Sequence, residues 1–309
     1  MKHYFTAEIP PEYEGRKLLS YLKSELAFSA AKISSVKYDT EGLFVNERRV
    51  TVREILHRGD RIRVLLTDSE RRENRLIPFE MPLDILYEDE HFIAVNKTAG
   101  TVCHPAKGHL LDSLASGLRF YFDRTDPDQR VHLLGRLDKE TSGVVLCAKN
   151  AAALELLKKS NTAEKTYIAA ASGKFAEKEG RITIPIKYVR DRELGILRVE
   201  RGEEKPAETE YRVIGEGTDF SVLEVKIGTG RMHQIRFHLS EEGHPLLGDS
   251  LYGGPMQRIG RTALHAWKLR FCHPFTKQEI TFQAGLPADM RELLPDAVPA
   301  EGRSRGSLY

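Results

Sequence analysis

Apolar positions along the chain fall into helical, alternating and continuous patterns, each in its own stretch. From Gly15 to Leu22, Leu18, Leu19 and Leu22 recur at helical spacing and predict an amphipathic helix. Ser29 to Val36 predicts a second short helix, and Gly42 to Val50 reads as strand, turn and strand. In Gly59-Asp60-Arg61-Ile62-Arg63-Val64-Leu65, polar and apolar side chains alternate with the period of two of a half-buried strand. A charged stretch without apolar periodicity follows, from Thr67 to Arg75. Beyond it, Ile85 to Lys97 predicts two strands around an acidic turn, Gly100 to Lys107 a loop and Leu110 to Tyr121 a helix. Val144-Val145-Leu146-Cys147-Ala148 is a continuous apolar run, the mark of a buried strand, and Ala151 to Lys159 predicts a further helix. From there strands and turns alternate to Leu286. Strands outnumber helices, which predicts an α+β fold: a mixed, mostly antiparallel sheet with flanking helices, preceded by a small N-terminal α/β domain. The expected divisions are a domain over 1–70, a linker over 71–80, a larger domain over 81–295 and a disordered tail over 296–309.

Composition narrows the class. The chain has 309 residues, of which 40% are hydrophobic and 30% charged, enough for a core, and no apolar run approaches the roughly 20 residues needed to span a bilayer. The first eight residues reach Glu8 without the apolar core of a secretory signal, so a cytoplasmic location is expected. Cys103, Cys147 and Cys272 are odd in number and far apart, which predicts three reduced thiols rather than disulfides or a zinc site. A net charge of +2 does not by itself point to nucleic acid. The distribution carries more: Arg48, Arg49, Arg53, Arg58, Arg61 and Arg63 cluster, followed by Arg71, Arg72 and Arg75. Such clusters are ordinarily solvated surface, and other motifs decide between the two readings.

The most informative segment is Leu134-Gly135-Arg136-Leu137-Asp138-Lys139-Glu140-Thr141-Ser142-Gly143, a loop carrying one aspartate beside an arginine into the buried strand. Alone it reads as a turn, since Asp, Thr, Ser and Gly are turn residues. Three further segments stand downstream: Lys165-Thr166-Tyr167, then Gly230-Arg231-Met232-His233-Gln234-Ile235-Arg236-Phe237-His238, then Gly243-His244-Pro245-Leu246-Leu247-Gly248-Asp249 with Tyr252. In order and spacing these blocks, with Arg-Leu-Asp-x-x-Thr-Ser-Gly, resemble the signature elements of the pseudouridine synthases, the large family that modifies ribosomal and transfer RNA. Leu264-His265-Ala266 resembles a further element, so the likeness spans roughly residues 80 to 290. The N-terminal pattern, two helices and a strand pair with Val45-Asn46 and a closing Gly59-Asp60-x-Ile62-x-Val64, resembles the αL RNA-binding module of a small-subunit ribosomal protein.

The resemblance implies roles. Pseudouridine formation breaks the N1–C1′ bond of uridine, turns the base and rejoins it through C5. A carboxylate that attacks and leaves reversibly suits the first step, and Asp138 is the implied nucleophile. A guanidinium beside it would keep it ionised under buried conditions, and that partner is implied to be Arg236. Tyr167 is implied to stack on the uracil, and Leu264 to form part of the apolar floor beneath it. Arg136 would enter the RNA and fill the gap left by the flipped nucleotide. Arg231 would bind phosphate or pack against the loop, while His233 and Gln234 read as local hydrogen-bonding residues. His233, His238 and His244 have no carboxylate or cysteine set beside them, so no metal is expected, and the reaction implies no organic cofactor. In the N-terminal module, Ser29-Ala30-Ala31-Lys32 stands where the related modules have Ser-Arg, which moves the expected phosphate contacts to Lys32 and Lys37, with Arg48 and Arg49. Gly135 stands where many relatives have histidine, which bears on RNA preference rather than on chemistry.

These readings imply a monomeric RNA-uridine isomerase without a membrane partner, acting on structured RNA, with large-subunit ribosomal RNA ahead of transfer RNA. Two readings compete: a non-catalytic RNA-binding ribosome-assembly factor on the same scaffold, and an aspartate-nucleophile hydrolase unrelated to RNA. The second lacks a metal-binding acid set or phosphate loop. The first leaves unexplained why Asp138, Tyr167 and Arg236 are all present.

Overall fold

The structure is a computed structural model that describes residues 2–66, 76–106, 108–190 and 197–293. The expected tail over 296–309 and the first half of the expected linker, 71–75, lie outside the described residues. Residues 76–80 lie against the second domain: the Phe79 amide donates to the Ser116 carbonyl at 3.2 Å.

The N-terminal unit comprises β1 (Tyr4–Glu8), α1 (Leu18–Ser24), α2 (Ala30–Tyr38), β2 (Leu43–Val45), β3 (Arg48–Arg49) and β4 (Arg61–Leu65). Its sheet runs β1-β4-β2-β3, antiparallel throughout. The helical stripe docks as the spacing requires, with Leu18 and Leu22 fully buried. Ser29 starts α2 by accepting the Lys32 amide on its hydroxyl, an N-cap bond. Between β2 and β3, Asn46 and Glu47 both have positive φ, the backbone of a two-residue hairpin turn. β1 has no counterpart among the predicted elements: five residues with weak alternation become a strand because β4 offers a free edge.

The larger part contains β5 (Asp84–Glu88), β6 (Phe92–Lys97), α3 (Leu114–Thr125), β7 (His132–Leu133), β8 (Ser142–Ala148), α4 (Ala151–Ser160), β9 (Glu164–Ser172), β10 (Glu179–Ile182), β11 (Ile186–Arg190), β12 (Leu197–Arg201), β13 (Thr209–Glu216), β14 (Phe220–Ile227), α5 (Gln234–Glu241), β15 (Leu264–Cys272), β16 (Glu279–Gln283) and α6 (Ala288–Arg291). One ten-stranded sheet is ordered β10-β13-β14-β9-β15-β8-β6-β5, with β16 also paired to β15 and β7 to β8. The β8–β15 pairing is parallel and the others in this sheet are antiparallel, so the sheet is mixed as predicted. β8 is buried along its whole length, with Val145 and Cys147 on one face and Val144, Leu146 and Ala148 on the other. α3 and α5 cover the first face through Leu118, Phe122, Ile235 and Leu239, and α4 covers the second through Ala153 and Leu157. α4 also presents Ala152 and Leu156 to the core of the N-terminal unit, so one helix belongs to both cores.

Two predicted elements need correction. The helix expected from Leu110 starts at Leu114, because Ser113 caps it by accepting the Ser116 amide at 3.1 Å, and Leu110 and Leu111 remain exposed. The stretch read as strands and turns after Lys159 contains a helix, α5. Its residues Gln234 to Leu239 are all buried, which removes the one-sided apolar stripe that would have announced it.

The parallel seam depends on Gly143. Its φ is +112°, and a Cβ there would meet the Ala266 carbonyl oxygen at 2.2 Å, so only glycine lets β15 approach β8. Beside it the Ser142 hydroxyl bonds His265 Nδ1 at 2.8 Å, while His265 Nε2–H donates to the Ala284 carbonyl at 3.2 Å. Burial pulls His265 down from 6.5 to about 4. Between these values the unfolded chain binds a proton that the folded chain does not, so stability is present above pH 6.5 and lost as pH falls toward 4. The wild type should therefore lose up to about 1.4 kcal/mol per pH unit across this window relative to His265→Gln, measured by urea unfolding; parallel pH profiles for the two proteins would refute the assignment.

Candidate active site

Three elements converge at the seam. The loop 134–141 feeds β8, Leu264 opens β15, and Tyr167 lies near the start of β9, paired with Ala266. They enclose a cavity of about 310 Å³ whose wall includes Arg136, Asp138, Tyr167, Arg231, Arg236 and Leu264. The six residues that the sequence assigned to catalysis, base and RNA contact in this region therefore share one site.

The loop is pinned from behind. Buried Lys97 donates from Nζ to the carbonyls of Thr98, Thr101 and Lys139, at 3.0, 2.8 and 3.2 Å. Burial lowers its ammonium to about 8. Arg261, fixed by Asp289 at 2.6 and 2.9 Å, donates from Nη1 to the Glu140 carbonyl at 3.1 Å. The Leu137 amide donates to Cys103 Sγ at 3.2 Å, and Thr141 closes the turn by donating to the Asp138 carbonyl. With the Leu137 amide bonded to Cys103 on one side and the Lys139 and Glu140 carbonyls held by Lys97 and Arg261 on the other, the backbone at Asp138 is fixed without using its carboxylate.

That carboxylate faces α5. Arg236 Nη1 donates to Asp138 Oδ2 at 3.1 Å. The other edge of the guanidinium is held by Asp249, with Nε to Oδ2 at 2.6 Å and Nη2 to Oδ1 at 2.8 Å. A bidentate pair fixes the plane of an arginine, and here it aims the remaining nitrogen at Asp138. Burial disfavours the Arg236 cation, but Asp249 and then Asp138 outweigh it and raise its pKa. The sequence quoted Asp249 within a motif and gave it no role; the available signal was a second acid 13 residues after the arginine. Tyr252 was likewise passed over: its ring lies 5.2 Å from the Arg236 guanidinium carbon, and its hydroxyl bonds His233 Nδ1 at 3.0 Å.

His233 Nε2 is 3.7 Å from Asp138 Oδ2, too far for a hydrogen bond, and burial lowers its pKa. Gln234, the first residue of α5, ties down the turn before the helix, accepting from Thr229 and Arg231 and donating to the Glu208 carbonyl. His238 bonds Thr209 and Ile184, and His244 donates to the Ser172 carbonyl, so the three histidines serve separate local bonds. Among the described residues no group of three His, Cys, Asp or Glu side chains could hold a metal ion, all three cysteines are free, and no helix is long and apolar enough to cross a membrane.

Tyr167 is 5% exposed and Leu264 is buried. Burial, with the charge of Asp138, pushes the Tyr167 phenol upward, so it stays neutral. Arg136 and Arg231 are exposed at the rim, and Arg231 Nε also donates to the Pro206 carbonyl at 3.4 Å.

The model of the RNA pseudouridylate synthase family matches residues 91–241. An uncharacterized RNA pseudouridine synthase of Bacillus subtilis is 37% identical over 273 residues, which is 87% of this chain and 95% of that protein. The chain belongs to the RNA pseudouridine synthase family. Ribosomal large subunit pseudouridine synthase D of Neisseria meningitidis is 34% identical over 302 residues, 93% of this synthase and 80% of that one. Human RNA pseudouridylate synthase domain containing 1 superposes with a TM-score of 0.53 at 27% identity, covering 72% of this synthase and 89% of the human chain. The sheet-dominated α+β fold is thus that of pseudouridine synthases.

The four N-terminal cations of the synthase lie outside the cavity wall. Lys37, Arg48 and Arg49 are exposed; Arg48 pairs with Glu54, and Arg49 donates to the Thr40 carbonyl at 2.8 Å. Lys32 corrects the expectation placed on it. Its side chain is buried and its ammonium donates to the Leu66 carbonyl at 2.7 Å, so it serves the fold and does not face a phosphate.

Asp249→Asn removes one charge of the buried fork and should cost about 3–5 kcal/mol of stability. Turnover by the folded variant should fall at least about tenfold. Full turnover in a folded Asp249→Asn protein would show that Arg236 needs no such support.

Proposed function

We propose that the synthase converts uridine to pseudouridine in large-subunit ribosomal RNA with Asp138 as its nucleophile, acting as a cytoplasmic monomer. One observation carries the mechanistic part: Asp138 is the only carboxylate among the described residues lining the cavity, whose wall also carries Arg136, Lys158, Lys165, Arg231 and Arg236. A site that merely held a polyanion would gain nothing from that acid. The carboxylate attacks C1′ or C6, and the N1–C1′ bond breaks. Arg236 supports the carboxylate form before attack and after release. The detached uracil turns against the Tyr167 ring and Leu264, and C5 bonds to C1′. The C5 hydrogen leaves as a proton and N1 gains one, so the product is an isomer.

The name of the Neisseria relative supports a ribosomal target. The N-terminal unit is the proposed RNA grip, an αL-type module whose exposed Lys37, Arg48, Arg53 and Arg58 offer positive charge.

Carbodiimide mapping of pseudouridine in total RNA, from cells with and without the gene, tests target and reaction together. A site in large-subunit RNA should vanish without the gene and return with the wild type but not with Asp138→Asn. Return with Asp138→Asn would remove the nucleophile assignment; unchanged RNA would favour a binding factor. In the full-length protein, Lys37→Glu with Arg48→Glu should lower the slope of log affinity against log salt by about one per lost phosphate contact. An unchanged slope would take the N-terminal unit out of RNA binding.

A further inference from the structure

The cavity wall holds a cation that the isomerisation leaves unused. Lys165 stands on β9 two residues before Tyr167, and side chains two apart on a strand share a face, so its ammonium and the Tyr167 ring line the same wall. Lys165 is half-buried and donates to the Leu134 carbonyl at 3.1 Å. Among the described residues that is the one hydrogen bond of its ammonium, and no carboxylate pairs with it. The Asp138 carboxylate is bonded by Arg236 instead. An ammonium has three N–H donors, so two remain for whatever enters the cavity. Keeping a partly desolvated cation without a counter-ion is unfavourable, and burial lowers its pKa.

The residue facing it is Gly135. A Cβ at this position would lie 3.5 Å from Lys165 Nζ, and the backbone φ of +75° itself favours glycine. A longer side chain would lie across the ammonium. Glycine leaves it open to the cavity, beside the ring on which the base is proposed to rest. Uracil offers two carbonyl oxygens at its edge, and a base stacked on Tyr167 would turn that edge toward the neighbouring position on the strand.

We propose that Lys165, left uncovered by Gly135, is a specificity-determining residue that donates a hydrogen bond to a carbonyl oxygen of the uracil held against Tyr167. This rests on the isomerase reading above and adds a recognition step to it.

The test uses the full-length chain and a stem-loop RNA containing the mapped uridine, tritiated at C5, so that each turnover releases tritium to water. Under single-turnover conditions Lys165→Met should slow release by about tenfold to a hundredfold, the range for a lost hydrogen bond to a charged group, and Lys165→Arg should recover part of the rate. Replacing the target with 2-thiouridine or 4-thiouridine weakens one acceptor at a time. The wild type should slow on one of them by about tenfold, since sulfur accepts poorly from an ammonium. Lys165→Met should treat uridine and that analogue alike, and Gly135→Asn, which covers the ammonium without removing it, should show an intermediate loss. A folded Lys165→Met protein with wild-type rate, or with undiminished discrimination against the thio-base, overturns the proposal. So does sensitivity confined to a methylphosphonate beside the target, which would assign Lys165 to the backbone. If Lys165→Met fails to fold, a wild type indifferent to both thio-bases overturns it alone. A wild type that releases no tritium from the mapped RNA refutes the isomerase reading itself, a distinct result.

Discussion

The site depends on two strands running side by side in the same direction. β8 and β15 are brought together at Gly143 and Ala266, and the segments before them arrive at the same place: the loop with Asp138 ahead of β8, and Leu264 at the head of β15. In an antiparallel pairing those two segments would lie at opposite ends of the strand pair. The steric demand on Gly143 and the Ser142–His265 bond are thus requirements on the position of a carboxylate several residues away.

Charge placement follows from the same arrangement. Two aspartates share one guanidinium, yet they are not equivalent. Asp249 takes two of its nitrogens along one edge and is fully buried, while Asp138 takes the third nitrogen and opens on the cavity. The first acid fixes the plane of the guanidinium, and the second faces the cavity. Behind the loop, Lys97 and Arg261 supply positive charge to backbone carbonyls rather than to Asp138.

Much of this was legible in the sequence, for identifiable reasons. Strands with clear alternation or a continuous apolar run, such as β4 and β8, were read correctly because their burial is uniform by face. α5 escaped because burial all round erases helical periodicity, and β1 because its pairing comes from β4 rather than from its own pattern. The motifs identified Asp138, Tyr167, Arg236 and Leu264 as neighbours, and the fold brings them to one cavity. Asp249 was given no role because its contribution is a pairing with Arg236 across 13 residues, and the motif that holds it does not say which cation it meets. Lys32 was misjudged because it is the cation nearest the position where related modules have arginine, whereas its buried ammonium closes the end of β4 by holding the Leu66 carbonyl.

α4 gives the two halves of the molecule a mechanical relation. Its Ala152 and Leu156 are packed into the N-terminal core, its Leu157 into the core behind the sheet, and its Lys158 reaches the cavity wall. Ten helical residues span about 15 Å and bend little over that length. The wall of the cavity and the core of the first 66 residues thus share one helix as a common support.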